Sequence, residues 1–162
     1  MRTYEFRLYP NREQRRRLDV CLYESRQLYN EMLAREKQHY QETGTFLSKY
    51  DLSARFKGRG GPYVPASTVQ CLADRLDKAL KAFLAHKDEE WGFPRVKSGN
   101  QWHSIQLRQL GTDFTPNGRL LKVPAKLGGA MRICCRSRCE RRSEHLKGGG
   151  TAFGDAGRWA GG

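Results

Sequence analysis

The sequence predicts an α+β fold: a small β-sheet or partial barrel, interrupted by a three-helix insertion and followed by a disordered C-terminal tail. Three observations predict it. Residues 3–9 alternate apolar and polar side chains at the strand period of two. Residues 11–91 carry apolar side chains at helical spacings of three and four. Alternation returns after Trp91, and all periodicity is lost beyond Ile133.

In the first strand Tyr4, Phe6 and Leu8 share one face, and Pro10 ends it. Asn11 followed by Gln14 has the form of a capping box, so a helix starts there. Leu18, Cys21, Leu22, Leu28, Tyr29, Met32, Leu33 and Tyr40 place its apolar stripe on one face of a long amphipathic helix, and Gly44 punctuates the chain. Ser48 caps a short second helix through Phe56, and residues 57–62 read as a basic loop. Pro65 suits the first turn of a third helix with Val69, Leu72, Leu76, Leu80 and Phe83 as its stripe. Asp74 with Lys78, and Asp77 with Lys81, form i,i+4 pairs along it.

Residues 92–100 form a second basic loop. From Gln101 to Leu110 the alternation predicts a strand, with Trp102, Ser104, Gln106 and Arg108 opposite His103, Ile105 and Leu107. Pro116-Asn117-Gly118-Arg119 supplies a turn before a strand at residues 120–123, which Pro124 ends. Past Ile133, Cys134-Cys135-Arg136-Ser137-Arg138-Cys139 has no period and residues 147–162 are glycine-dominated, so the tail is expected to be disordered. The abrupt switch at Ile133 is also compatible with a change of reading frame.

The balance of 30 Lys+Arg against 17 Asp+Glu gives a formal net charge of +13. Such a surplus attracts polyanions and stabilises their complexes through counterion release from phosphates. No run approaches the roughly 20 apolar residues a spanning helix needs, and Met1-Arg2-Thr3-Tyr4-Glu5 leads into no apolar signal core, so a cytoplasmic chain is expected. Five cysteines without an export signal argue against a disulfide framework. Cys21 and Cys71 fall on helix stripes, where a thiol packs as a small hydrophobe. Cys134, Cys135, Cys139 and His145 do not have the spacing of paired zinc knuckles, and neither a metal nor a cofactor is expected.

Phe6-Arg7-Leu8-Tyr9-Pro10 with the Gln-bearing helix start, Leu28-Tyr29-Asn30, Gly92-Phe93-Pro94-Arg95 and Gly118-Arg119-Leu120-Leu121-Lys122-Val123-Pro124 occur in an order and spacing that resemble the N-terminal portion of TnpB, the OrfB-type RNA-guided nuclease of bacterial insertion sequences. The resemblance covers about Arg2 to Ile133. It implies a wedge domain at residues 1–10 and 92–133, interrupted by a helical recognition region, of the helix-turn-helix transposase type, at 11–91. Residues 134–162 remain as the tail. The implied partners are DNA, a guide-type RNA and a full-length TnpB-like protein or transposase, with base pairing reading the target and the protein reading a short motif beside it.

By position, the resemblance places contacts to the target-adjacent motif at Ser48, Lys49, Ser53, Ser67 and Gln70, residue types that donate to phosphates and base edges. Ser48 and Ser67 also suit ordinary helix caps. Arg95, Lys97, Gln106 and Arg108 are candidate contacts to guide RNA or heteroduplex, and Arg7, Arg12 and Arg16 are further candidate nucleic-acid contacts. Crowding of Arg12, Arg15, Arg16 and Arg17 at a helix start opposes the helix dipole, a conflict that a bound phosphate would offset. Tyr4 and Trp102 are candidates either for base stacking or for the core. Relatives cut DNA with a RuvC-like domain whose separated carboxylates hold two metal ions. Asp113 and Asp155 do not reproduce that set, so the resemblance implies a truncated nucleic-acid-binding protein with no catalytic residues and no nuclease activity. The alternatives are a free-standing helix-turn-helix regulator and a decayed gene product.

Overall fold

The computed structural model describes residues 5–86, 92–109 and 111–135, and the chain divides into two units. The larger, Tyr9–Arg132, holds helices α1 (Arg12–Thr43), α2 (Lys49–Arg55) and α3 (Ala66–Ala85), strands β2 (Thr115–Asn117) and β3 (Leu120–Lys122), and the start of β4 (Ala130–Cys135). The smaller contains most of β1 (Phe6–Tyr9) and the end of β4. The fold is α+β, with the three helices between the first and second strands and a sheet ordered β1-β4-β3-β2. Tyr4, Trp91 and the tail from Arg136 onward, including Cys139, His145 and Asp155, lie outside the described residues.

The start of α1 is the expected capping box. The Asn11 side chain accepts from the Gln14 N–H at 2.8 Å, and the Gln14 side chain accepts from the Asn11 N–H at 3.0 Å. Gln14 has a second duty. Its amide also donates to the carbonyls of Gly128 (3.0 Å) and Ala130 (2.9 Å), which ties the helix start to the turn before β4. Gly128 has φ +108°, and a Cβ there would stand 2.6 Å from Gln14 Cγ, so both conformation and space require glycine. At the other end, Gly44 adopts the left-handed conformation and its N–H bonds the Tyr40 carbonyl.

The buried stripe of α1 runs Cys21, Ser25, Leu28, Tyr29, Met32, Leu33 and Glu36. It packs against Val69, Leu72, Ala73, Leu76 and Leu80 of α3, and Leu52 and Phe56 from α2 complete that side of the core. Two members of the stripe, Ser25 and Glu36, are polar and absent from the apolar pattern. The Glu36 carboxylate accepts from the Leu47 N–H at 3.1 Å and so organises the turn into α2. Burial raises its pKa, against the opposing effects of that hydrogen bond and His39. Burial also pushes the Cys21 thiol up to about 11 and raises Cys71, which keeps both protonated and in the core as expected. The disulfide expectation fails at Cys134, which is disulfide-bonded.

The alternating segment after α3 differs from expectation. Residues 102–109 form no strand, and the expected sidedness holds in part: Ile105 and Leu107 pack against the core while Ser104, Gln106 and Arg108 are exposed, but Trp102, expected on the face of Ser104, is buried and His103, expected on the face of Ile105, is exposed. The segment is held from its flanks. Asn30 of α1 grips the backbone of Lys97 from both sides, its Nδ2 donating to the carbonyl (3.1 Å) and its Oδ1 accepting from the N–H (2.9 Å). Phe93 packs between Phe46 and Phe83, with ring centroids 6.2 and 5.6 Å away. Asp113 accepts from the N–H groups of Arg108 and Gln109 at 2.9 and 3.0 Å. Those bonds and the neighbouring Ser67 hydroxyl outweigh desolvation and lower its pKa.

The strand that precedes β3 is therefore β2, and Pro116 and Asn117, expected in the turn, belong to it. The turn is Gly118-Arg119, with Gly118 at φ +59°. β2 pairs antiparallel with β3, and β3 pairs antiparallel with β4 with Leu121 opposite Met131. Leu127, in the 3-10 turn at Ala125–Leu127, and Met131 enter the core beside Trp102.

Two outcomes are expected. Asn30→Ala leaves both Lys97 backbone groups without their partner and costs about 1–2 kcal/mol, a fall in melting temperature of roughly 2–8 °C for a chain of this size. Glu36→Gln keeps an acceptor for the Leu47 N–H but does not titrate. Because the folded-state pKa of Glu36 is raised, its contribution to wild-type stability is fully present below the unfolded value and is lost as pH rises through the folded one. The melting temperature of Glu36→Gln should therefore gain on the wild type as pH rises from 4 to about 8, and a difference independent of pH would contradict this.

Candidate nucleic-acid interface

One face of α3 carries Cys71, Asp74, Arg75 and Lys78 at spacings of three and four. With the extended residues 104–108 they line an open groove of about 520 Å3. Lys49, in the first turn of α2, reaches the same place: its Nζ lies 3.7 Å from Asp74 Oδ1, while Arg108 Nη1 lies 3.4 Å from Asp74 Oδ2. Asp74 thus meets cations from two other elements, and not Lys78 as the spacing had suggested. The second expected pair, Asp77 with Lys81, does form at 2.7 Å.

Trp102 is buried, 5% exposed, with the Tyr29 ring 5.1 Å away and the guanidinium of Arg75, a groove residue, over its own ring at 4.5 Å. Of its two candidate roles it takes the core one. A cation over an indole face is attracted by the ring quadrupole, so Trp102 presents Arg75 as a flat, oriented cation. Thr68, buried in α3, donates to the Gln106 carbonyl at 3.3 Å and fixes the other wall.

The residues singled out from the sequence are distributed unevenly. Lys49, Gln106 and Arg108 meet at the groove. Gln70 is exposed on α3, Arg95 is exposed in the loop after Phe93, and Lys97 is half-buried with its backbone held by Asn30. Ser48 is the N-cap of α2, accepting from the Asp51 N–H and donating to its carboxylate at 2.7 Å. Ser53 and Ser67 are half-buried, and Arg12 and Arg16 are exposed on the first turns of α1. Arg7 is exposed on β1, in the smaller unit. Arg17, one of the crowded arginines, is structural: it pairs with Glu13 at 3.0 Å and donates to the Ala125 carbonyl at 3.3 Å.

Arg75, Lys78 and Ser104 were missed as site residues. A signal for Arg75 and Lys78 existed, since they lie one helical turn apart beside the apolar stripe, but that pattern equally describes a solvated face. Tyr50, 75% exposed with Lys49 over its ring at 5.1 Å, is a further surface aromatic next to the groove.

Among the described residues no group of three or more His, Cys, Asp or Glu is placed to hold a metal ion, and no helix is long and apolar enough to cross a membrane. No curated protein matches the chain. Residues 1–45 match the family model of a helix-turn-helix domain, that of OrfB from IS605-type elements. Within that stretch the described residues form β1 and α1, and α2 begins at Lys49. Residues 1–45 are thus similar to the helix-turn-helix domain of OrfB from IS605-type elements.

Proposed function

We propose that the chain binds nucleic acid through the groove between α3 and residues 104–108, holding a guide-type RNA and the DNA beside its target in the manner of TnpB/OrfB proteins, without cutting either. The observation that carries this reading is the convergence of Arg75, Lys78 and Arg108 on one open groove, with Lys49 of α2 brought to its edge through Asp74. Phosphate contact requires cations within reach of a continuous path, and the groove supplies one; Gln106 on its wall adds a donor and an acceptor suited to a base edge. The likeness of residues 1–45 to a helix-turn-helix transposase domain supports the same partner class. In this reading residues 11–91 are the recognition region and residues 1–10 and 92–133 the wedge, with Arg7, Arg12, Arg16, Gln70 and Arg95 as outer contacts. Ser48, Ser53, Ser67 and Lys97 support the walls.

Binding without cutting is favoured by the groove's own chemistry. Two-metal hydrolysis of a phosphodiester needs several convergent carboxylates, and the groove has Asp74, which is held in two ion pairs.

A second reading, a duplex-DNA regulator acting without RNA, is favoured by the helix-turn-helix match itself. Ribonuclease treatment separates the two, since only the regulator keeps tight, site-specific duplex binding afterwards.

The purified chain should shift labelled single-stranded RNA and duplex DNA with strong salt dependence, and should leave both intact with magnesium. Arg75→Ala and Arg108→Ala should each weaken binding and reduce the slope of log affinity against log salt by about 0.9 for duplex or 0.7 for single strand per lost phosphate contact. Unchanged affinity in both variants would place binding elsewhere, and magnesium-dependent cutting would overturn the non-enzymatic reading.

A further inference from the structure

Asp74 is the carboxylate in a groove whose lining, otherwise uncharged, carries the three cations Arg75, Lys78 and Arg108 and is edged by Lys49. It is not matched to a neighbour on its own helix. Its two oxygens face two cations from different elements, Lys49 at 3.7 Å and Arg108 at 3.4 Å. These separations are longer than a close charge-assisted hydrogen bond, and all three side chains are partly exposed, Asp74 at 30%, Lys49 at 37% and Arg108 at 48%. Exposed pairs of this kind are weak, so a stronger or multivalent anion can displace them. Asp74 therefore has the position of a phosphate, set between two cations on the wall of a basic groove.

The geometry points to a phosphate-binding site that the chain fills with its own carboxylate: Asp74 occupies the place of one backbone phosphate, and binding a nucleic-acid strand exchanges Asp74 for that phosphate at Lys49 and Arg108. Arg75 does not take part in the exchange, because its guanidinium rests on Trp102 and is available in the free chain. The internal anion then holds Lys49 and Arg108 in place, lowers affinity for any single isolated phosphate and favours polyanions that contact Arg75 and Lys78 at the same time. This inference rests on the groove being the nucleic-acid site and adds that its ligand is the phosphodiester backbone.

The test uses the full 162-residue chain and two probes, a labelled 20-base-pair DNA duplex and a single-stranded RNA of one of its strands in RNA form. Asp74→Asn, nearly isosteric, should bind both probes about two- to thirtyfold more tightly, the range that two weak exposed pairs span at 1.4 kcal/mol per factor of ten. Asp77→Asn removes the same charge from the same helix but from a pair outside the groove, and should change affinity less than twofold. In a Lys49→Ala, Arg108→Ala background the Asp74→Asn gain should vanish. Thermal melts of each variant establish that the chain is folded, and Asp74→Ser replaces Asp74→Asn if the latter is not.

Weaker or unchanged binding by the Asp74 variant, while Arg108→Ala still weakens binding, overturns the inference and leaves the groove reading standing. An equal gain from Asp77→Asn also overturns it, by reducing the effect to net charge. Loss of neither Arg75 nor Arg108 mattering overturns the inference and the groove reading together.

Discussion

The extended wall of the groove is tied to α1 by one side chain outside it. Asn30 closes two hydrogen bonds on the backbone of Lys97, and this fixes where the chain departs from α1 before passing along α3. An amide is the side chain suited to this, since it offers a donor and an acceptor in one plane and so mimics a strand partner for a single residue. With that point held and Phe93 anchored between Phe46 and Phe83, residues 102–109 can lie against α3 without a sheet to carry them. Arg75, Trp102 and Arg108 take their relative places from this arrangement.

Polar groups in core positions serve the same end. Glu36 and Thr68 interrupt apolar stripes, and each spends its buried oxygen on the backbone of a neighbouring segment, Leu47 for Glu36 and Gln106 for Thr68. A buried polar atom destabilises unless it is satisfied, so such a residue specifies one arrangement of its partner segment over others. The three helices are packed by hydrophobic contact, whereas the segments around them are placed by directed bonds from Gln14, Asn30, Glu36, Thr68 and Asp113.

This division explains what was legible beforehand. The caps at Asn11 and Ser48, the stop at Gly44 and the stripes of α1 and α3 are local matters of hydrogen-bonding type and period, and all appear where the residues indicate. From Ser104 to Arg108 alternation reported a two-sided environment, which Trp102 and His103 break, but it carries no information about whether the neighbour is a strand or a helix; here it is α3. Reading Asp74 with Lys78 failed for a similar reason, because i,i+4 pairing is a weak local preference and two cations from distant segments outcompete it. The groove itself was illegible, since half of it belongs to a helix face indistinguishable from ordinary solvated surface. Lys49, Gln106 and Arg108 were nominated through family resemblance, which carries three-dimensional information that periodicity lacks.

An extended segment without a hydrogen-bonded ladder has a different mutational grammar from a strand. In a sheet, a residue inserted or deleted flips every later side chain to the opposite face. Between Trp102 and Gln109 the outward positions His103, Ser104, Gln106 and Arg108 are decoupled from the sheet, because Ile105 and Leu107 fix sidedness and Asn30 and Asp113 fix the approaches. Those outward positions can exchange side chains one at a time, so the surface chemistry of this wall can change while the helical core stays as it is.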